Sequence, residues 1–210
     1  MNKNDNTGLG LIKTTIERAQ NEKSLFNSAL KKLVNSTEEE LADFLKKKME
    51  KNAIGNLCCI SGKEMIMIEA LDGKAYISNA KKTFKSGIDE DFKKWGLNQS
   101  GLATAETLFD VSEMSADGTF TQIFTGITSD LDKIVMTQAQ IIRFCEKYPT
   151  WLRHYATFFL TKVRGKYFVV YVYVRLDGLY VSVGLFERDV IWYGGGRHRV
   201  VSPQLIPLPE

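Results

Sequence analysis

Residues 156–186 read ATFFLTKVRGKYFVVYVYVRLDGLYVSVGLF, and the alternation within them decides the fold. Two breaks, Arg164-Gly165 and Asp177-Gly178, cut the stretch into three runs rich in Val, Tyr and Phe, residue types that suit a pleated, half-buried surface. Glycine supplies the positive φ of a two-residue hairpin turn, so each break predicts a tight antiparallel reversal. A turn centred on Asp177-Gly178 pairs Leu176 with Leu179. It sets Arg175 opposite Tyr180, Tyr173 opposite Ser182 and Tyr171 opposite Gly184. On the other side Val174 meets Val181, Val172 meets Val183 and Val170 meets Leu185. The Arg164-Gly165 turn adds Phe159 opposite Val170 and Thr161 opposite Phe168. That face is uniformly apolar and reads as core.

The second face carries Ala156, Phe158, Leu160 and Lys162, then Tyr167, Val169, Tyr171, Tyr173 and Arg175, then Tyr180, Ser182 and Phe186. So many rings and aliphatic groups exceed the few hundred Å² of apolar patch that a monomer leaves in water. Either chain that precedes Lys133 covers this face or a partner does.

Outward from this ribbon, Asp-Gly recurs at Asp72-Gly73 and Asp117-Gly118 and predicts two further hairpins. A turn around Ser61, Gly62 and Lys63 adds another, and strands are expected at 190–193 and 198–201. Thr137 with Gln140 forms a capping box that starts a helix over 138–148, stopped by Pro149, and a shorter helix is expected near 88–95. Upstream, apolar residues recur at helical spacing, and Ser36 with Glu39 opens a second helix, so residues 24–52 read as a helical hairpin. The expected class is α+β: an antiparallel β-meander built from Asp-Gly hairpins with packed helices, preceded by an N-terminal helical segment. The boundaries are 1–54 for that segment and 55–210 for the α+β domain, with its sheet over 156–201 and a proline-bearing tail from Ser202.

Composition narrows the function classes. The 210 residues are 44% hydrophobic and 25% charged, which excludes native disorder. Three cysteines (58, 59 and 145) without framework spacing point to a reducing, cytoplasmic setting. No apolar run reaches the ~18 residues of a membrane span, and the first twenty residues are too polar for a signal peptide. Charge is uneven. Residues 1–132 carry 17 Lys and Arg against 20 Asp and Glu, whereas residues 133–210 carry 11 against 5 and hold seven of the eight arginines. Arginine forks match carboxylates and phosphates and stack on rings, so the C-terminal part is the expected contact region.

Motifs for chemistry are weak. Residues 55–64 (GNLCCISGKE) fail as a phosphate-binding loop, because six residues separate the glycines and Glu64 stands where a magnesium-binding hydroxyl belongs. Cys58, Cys59, Cys145, His154 and His198 show no ligand spacing, so no metal or cofactor is expected. Cys145 falls on the buried stripe of its helix. No catalytic residue is assigned.

The stretches TQAQIIRFCEKYPTWLR and 156–205, with weaker likeness through IDEDFKKWGL and DGTFTQIF, resemble a group of small uncharacterised bacterial proteins. The resemblance implies a bacterial origin and one structural unit after about residue 55, and transfers no functional residue. The expected function is therefore binding, through a basic and aromatic surface of Arg175, Tyr173, Tyr180, Tyr167, Arg197 and Arg199 that meets a protein partner or a second copy. One alternative is single-stranded nucleic acid, with bases stacked on the tyrosines. The other is an enzyme for a small anionic substrate, with Arg197, His198 and Arg199 as an anion clamp after Gly194–Gly196 and His154 or Cys145 as reactive groups.

Overall fold

The computed structural model describes residues 53–62 and 64–205. The expected N-terminal helices, with the hairpin at 24–52, lie outside the described residues. The described strands are β1 (Ala53–Ile54), β2 (Leu57–Cys59), β3 (Ile66–Ile68), β4 (Gly87–Ile88), β5 (Thr107–Met114), β6 (Thr157–Val163), β7 (Lys166–Arg175), β8 (Gly178–Leu185) and β9 (Arg199–Pro203). Three short helices accompany them: α1 (Asp91–Lys94), α2 (Phe120–Thr125) and α3 (Gln138–Lys147).

All nine strands join one sheet in the order β1-β2-β5-β9-β6-β7-β8-β4, with β3 also paired to β5. This corrects the expected α+β meander with packed helices: the domain is strand-rich, its helices are few and short, and its sheet is mixed. β9 runs parallel to β6 and β4 runs parallel to β8, while the other pairs are antiparallel. The meander reading failed because β9 does not follow β8 around a turn. It returns over a long connection and inserts between β5 and β6, satisfying both strands' backbone groups. The expected tail therefore begins later than Ser202, since Ser202 and Pro203 pair with Asp110 and Phe109.

The Asp-Gly pairs also behave differently from expectation. Asp72-Gly73 and Asp117-Gly118 join no two strands; Leu71 bridges Thr104 and Gly118 bridges Trp192. Ser61 and Gly62 turn the chain, but β2 and β3 each pair with β5 and not with each other. The expected strand at 190–193 reduces to the single bridge at Trp192.

Within the ribbon, the Arg164-Gly165 turn forms as expected, with φ of 50° and 77°, and Phe159 faces Val170. At the second turn the pairs are Arg175 with Gly178, Tyr173 with Tyr180 and Tyr171 with Ser182, two positions out of step with the expected register. Asp177 has no positive φ, so Asp177-Gly178 cannot be the turn centre; Leu176 and Asp177 occupy it and Gly178, at φ 135°, begins β8. A shift of two leaves every side chain on its expected face.

On the first face, Phe159, Val170, Val172, Val181 and Val201 pack beneath α3 through Ile141, Phe144 and Cys145. α3 begins at the expected capping box, with Thr137 and Gln140 satisfying each other's backbone amides. The second face is covered by the protein itself. Phe120, Ile123 and Phe124 of α2, together with Ile134 and Trp192, lie over Phe158, Leu160 and Val169. Sequence reasoning missed α2, although Thr119 and Gln122 form the same kind of box.

Candidate functional site

One end of the sheet collects most of the expected contact residues: the start of β6, β8 and β9 and the finish of β5 and β7. On the second face Tyr171, Tyr173 and Tyr180 form a ladder, with ring centroids 6.0 Å and 6.3 Å apart. The Arg175 guanidinium lies 3.8 Å from the Tyr180 ring centroid, a contact between diagonal neighbours of an antiparallel pair. β4 makes room for that ring with Gly87: a Cβ there would stand 3.1 Å from Tyr180 Cδ2. Burial, reinforced by the two neighbouring tyrosines, pushes the Tyr173 hydroxyl up to about 12. Below the ladder, the buried Ser182 hydroxyl donates to Asp89, whose carboxylate also accepts the Asp91 amide at 3.0 Å.

Tyr167 does not belong to this group. It sits six residues along β7 from Tyr173, about 20 Å at the strand rise. There its hydroxyl donates to Asp132 at 2.7 Å, and Lys162 binds the same carboxylate at 2.7 Å. These two hydrogen bonds, Lys162 first, hold the Asp132 carboxyl below its ordinary range. Tyr167 lines a separate cleft of about 730 Å³ with Trp95, Phe186 and Arg188.

On the first face of the same sheet end, β5 and β9 place Glu113 opposite Arg199. Three guanidinium groups converge on this one carboxylate: Arg153 at 3.4 Å, Arg199 at 3.8 Å and Arg197 at 4.0 Å. Arg199 is buried. It donates to the Trp151 carbonyl at 2.7 Å and lies 5.3 Å from the Trp151 ring centroid, while its Nε, the atom that faces Glu113 at 3.8 Å, makes no hydrogen bond among the described residues. Burial and the adjacent Arg153 charge lower its pKa, and Glu113 opposes them. Thr157, paired with Arg199 across β6 and β9, is fully buried and its hydroxyl likewise has no partner. Arg197 reaches Glu113 from a left-handed backbone, φ 46°, after the turn at Gly194–Gly196. Sequence reasoning identified Arg197 and Arg199 but missed Arg153. It lies just before β6, held by the Val174 amide on its carbonyl, and only its place among the C-terminal arginines marked it.

His198 does not join its neighbours in a clamp. It turns to the second face, with its ring 5.1 Å from Trp192 and 5.3 Å from Phe158. Cys145 is on the core-facing side of α3, its thiol pushed up by burial and by Glu146. The His154 Nδ1 faces the Val174 carbonyl oxygen at 3.3 Å, the acceptor of that contact. Cys145 thus lies in the core, while the two histidines both stand against the Tyr155 ring, at 5.9 Å and 6.0 Å. No family model, curated protein or solved structure matches this chain. Among the described residues no group of three or more His, Cys, Asp and Glu side chains is placed to hold a metal ion. Nor is any helix there long and apolar enough to cross a membrane.

His198 has a measurable consequence. Burial lowers its pKa below the ordinary 6.5, with the Ala156 carbonyl opposing the shift, and its Nδ1 has no partner. Around it stand the Tyr155, Phe158 and Trp192 rings, with Arg197 and Arg199 beside it in the chain. The unfolded chain takes up a proton near 6.5 while the folded state resists, so stability falls as the pH drops through and below that value. The slope reaches at most ~1.4 kcal/mol per pH unit. The expected result is that His198→Gln flattens the pH dependence of urea unfolding just below neutrality; an unchanged slope in that variant removes His198 as its cause.

Proposed function

We propose that this is a binding protein whose cationic sheet end receives an acidic segment of a partner protein, in a cytoplasmic setting. The observation that carries the reading is the sharing of a single carboxylate, Glu113, by Arg153, Arg197 and Arg199. Among the described residues two positive charges are left uncompensated there. Tyr155, 51% exposed, and Tyr193, 71% exposed, flank this end of the sheet. Tyrosine and arginine together are the residue types that dominate protein-binding hot spots.

The single-stranded nucleic-acid alternative is supported less well. Bases need open ring faces. Here the Tyr180 ring carries the Arg175 guanidinium, and Tyr171 lies against Trp192 at 5.7 Å.

The test is fluorescence anisotropy with three labelled probes at low salt: a Glu- and Asp-rich peptide containing tyrosine, its Gln and Asn counterpart, and a single-stranded oligonucleotide of matching charge. The acidic peptide is expected to bind best. The charge reversals Arg153→Glu and Arg197→Glu together are expected to weaken it by about tenfold or more, the size of one charge-assisted contact. Preference for the oligonucleotide would replace this reading with the nucleic-acid one. Absence of binding by the acidic peptide would end it.

A further inference from the structure

We infer that Arg153, Arg197 and Arg199 form a site for a phosphoryl group. The inference deepens the reading of this sheet end as an anion-receiving surface and rests on it. Its first support is charge. Three guanidinium groups face one carboxylate, and a phosphate monoester carries close to two negative charges at neutral pH, which matches the two left over. A second carboxylate would leave one charge unmet. Because Coulomb energy scales with the product of charges, the surplus favours a dianion over a monoanion about twofold in energy.

The second support is geometry. Glu113 stands 3.4–4.0 Å from its three arginines, well outside the ~2.7–2.9 Å of a charge-assisted hydrogen bond, so it balances the cluster without saturating it. Arginine forks have donors to spare, and a phosphoryl group offers three oxygens to receive them.

The third support lies in the buried groups. Arg199, only 7% exposed, has an Nε that meets Glu113 at 3.8 Å, too far for a hydrogen bond, and makes no other among the described residues. The hydroxyl of Thr157, its cross-strand neighbour and 0% exposed, makes none there either. Buried polar groups in native proteins are nearly always hydrogen-bonded, so two without a hydrogen bond at one cationic cluster mark a place where a ligand's field is expected. Arg197 adds to this. A non-glycine residue at φ 46° is held in a costly conformation, and the result is a third guanidinium brought to the cluster.

The probe is inorganic phosphate, added to the full chain at about pH 8.5, where it is almost wholly the dianion that a phosphate monoester approaches at neutral pH. Isothermal titration and thermal unfolding are read against acetate and chloride at matched ionic strength. Phosphate is expected to bind saturably and to raise the unfolding temperature more than either control. Arg153→Gln with Arg197→Gln is expected to weaken phosphate by about tenfold or more. Arg164→Gln, at the β6–β7 turn, changes nothing. At about pH 5, where phosphate is a monoanion, the affinity falls. Phosphate indistinguishable from acetate, or binding unchanged in the double variant, overturns the inference. If the acidic peptide still binds in that case, the phosphoryl site fails while the proposed function stands.

Discussion

Phe158→Ala is expected to cost ~3–5 kcal/mol of stability, measured by urea unfolding, the range for deleting a buried phenylalanine from a packed core. Phe158 is 0% exposed and lies at the meeting point of four structural elements. Its ring stands 5.3 Å from Phe120 of α2, 4.8 Å from Trp192, 5.3 Å from His198 before β9 and 6.4 Å from Tyr171 of β7. The β6 backbone is fixed on both sides by β7 and β9, so the sheet cannot collapse into the gap. The cavity would remain, and its cost adds to the lost burial. Tyr173→Ala is the contrasting variant, since that ring is only half-buried and should cost clearly less. The pair separates two views of the second face. A loss below about 1.5 kcal/mol for Phe158→Ala, no more than a conservative core change, would mean that α2 and Trp192 do not seal it in solution. The aromatic surface would then be open far beyond the ladder.

What could be read from the sequence was local. The Arg164-Gly165 turn, the β6–β7 register and the capping box of α3 each depend on residues within a few positions of one another. The side-chain faces of β7 and β8 were also legible, because parity survives a register error of two. What stayed hidden was non-local. β9 finds β5 some ninety residues upstream, and no turn residue announces that pairing. Glu113 consequently carried no signal as a site residue: its role depends on standing opposite Arg199. His198 was grouped with the arginines on either side of it, yet alternation along an extended chain sends it to the opposite face. Tyr167 was grouped with Tyr173 by face alone, and the Asp132 clamp that occupies it comes from a short helical turn at Leu131–Ile134 whose position the ribbon does not encode. The arginine cluster at this sheet end thus rests on contacts that only the assembled sheet creates.

Glu113→Gln is expected to lower stability by ~3 kcal/mol, the low end for removing one partner of a buried ion pair. The low end applies because the contacts are loose, at 3.4–4.0 Å, and because Arg153 and Arg197 can turn toward water, with side chains 41% and 71% exposed. Arg199 has no such escape. Its side chain is 9% exposed, its guanidinium is tied to the Trp151 carbonyl, and Arg153 repels it once the countercharge is gone. Replacing the buried charge as well, in Glu113→Gln with Arg199→Met, should recover much of the loss, because an apolar side chain of similar volume needs no countercharge. With Arg199→Met alone these proteins complete a double-mutant cycle, and a coupling of at least ~1 kcal/mol between positions 113 and 199 is expected across it. Phosphate adds a second axis. With its internal carboxylate neutralised the cluster holds three positive charges, so phosphate should stabilise Glu113→Gln more than the parent protein, by mass action on the folded state alone. A Glu113→Gln protein as stable as the parent, measured at low salt where surface screening is weak, would show that the three arginines are not electrostatically strained. The charge surplus on which the proposed partner binding depends would then be absent from this end of the sheet.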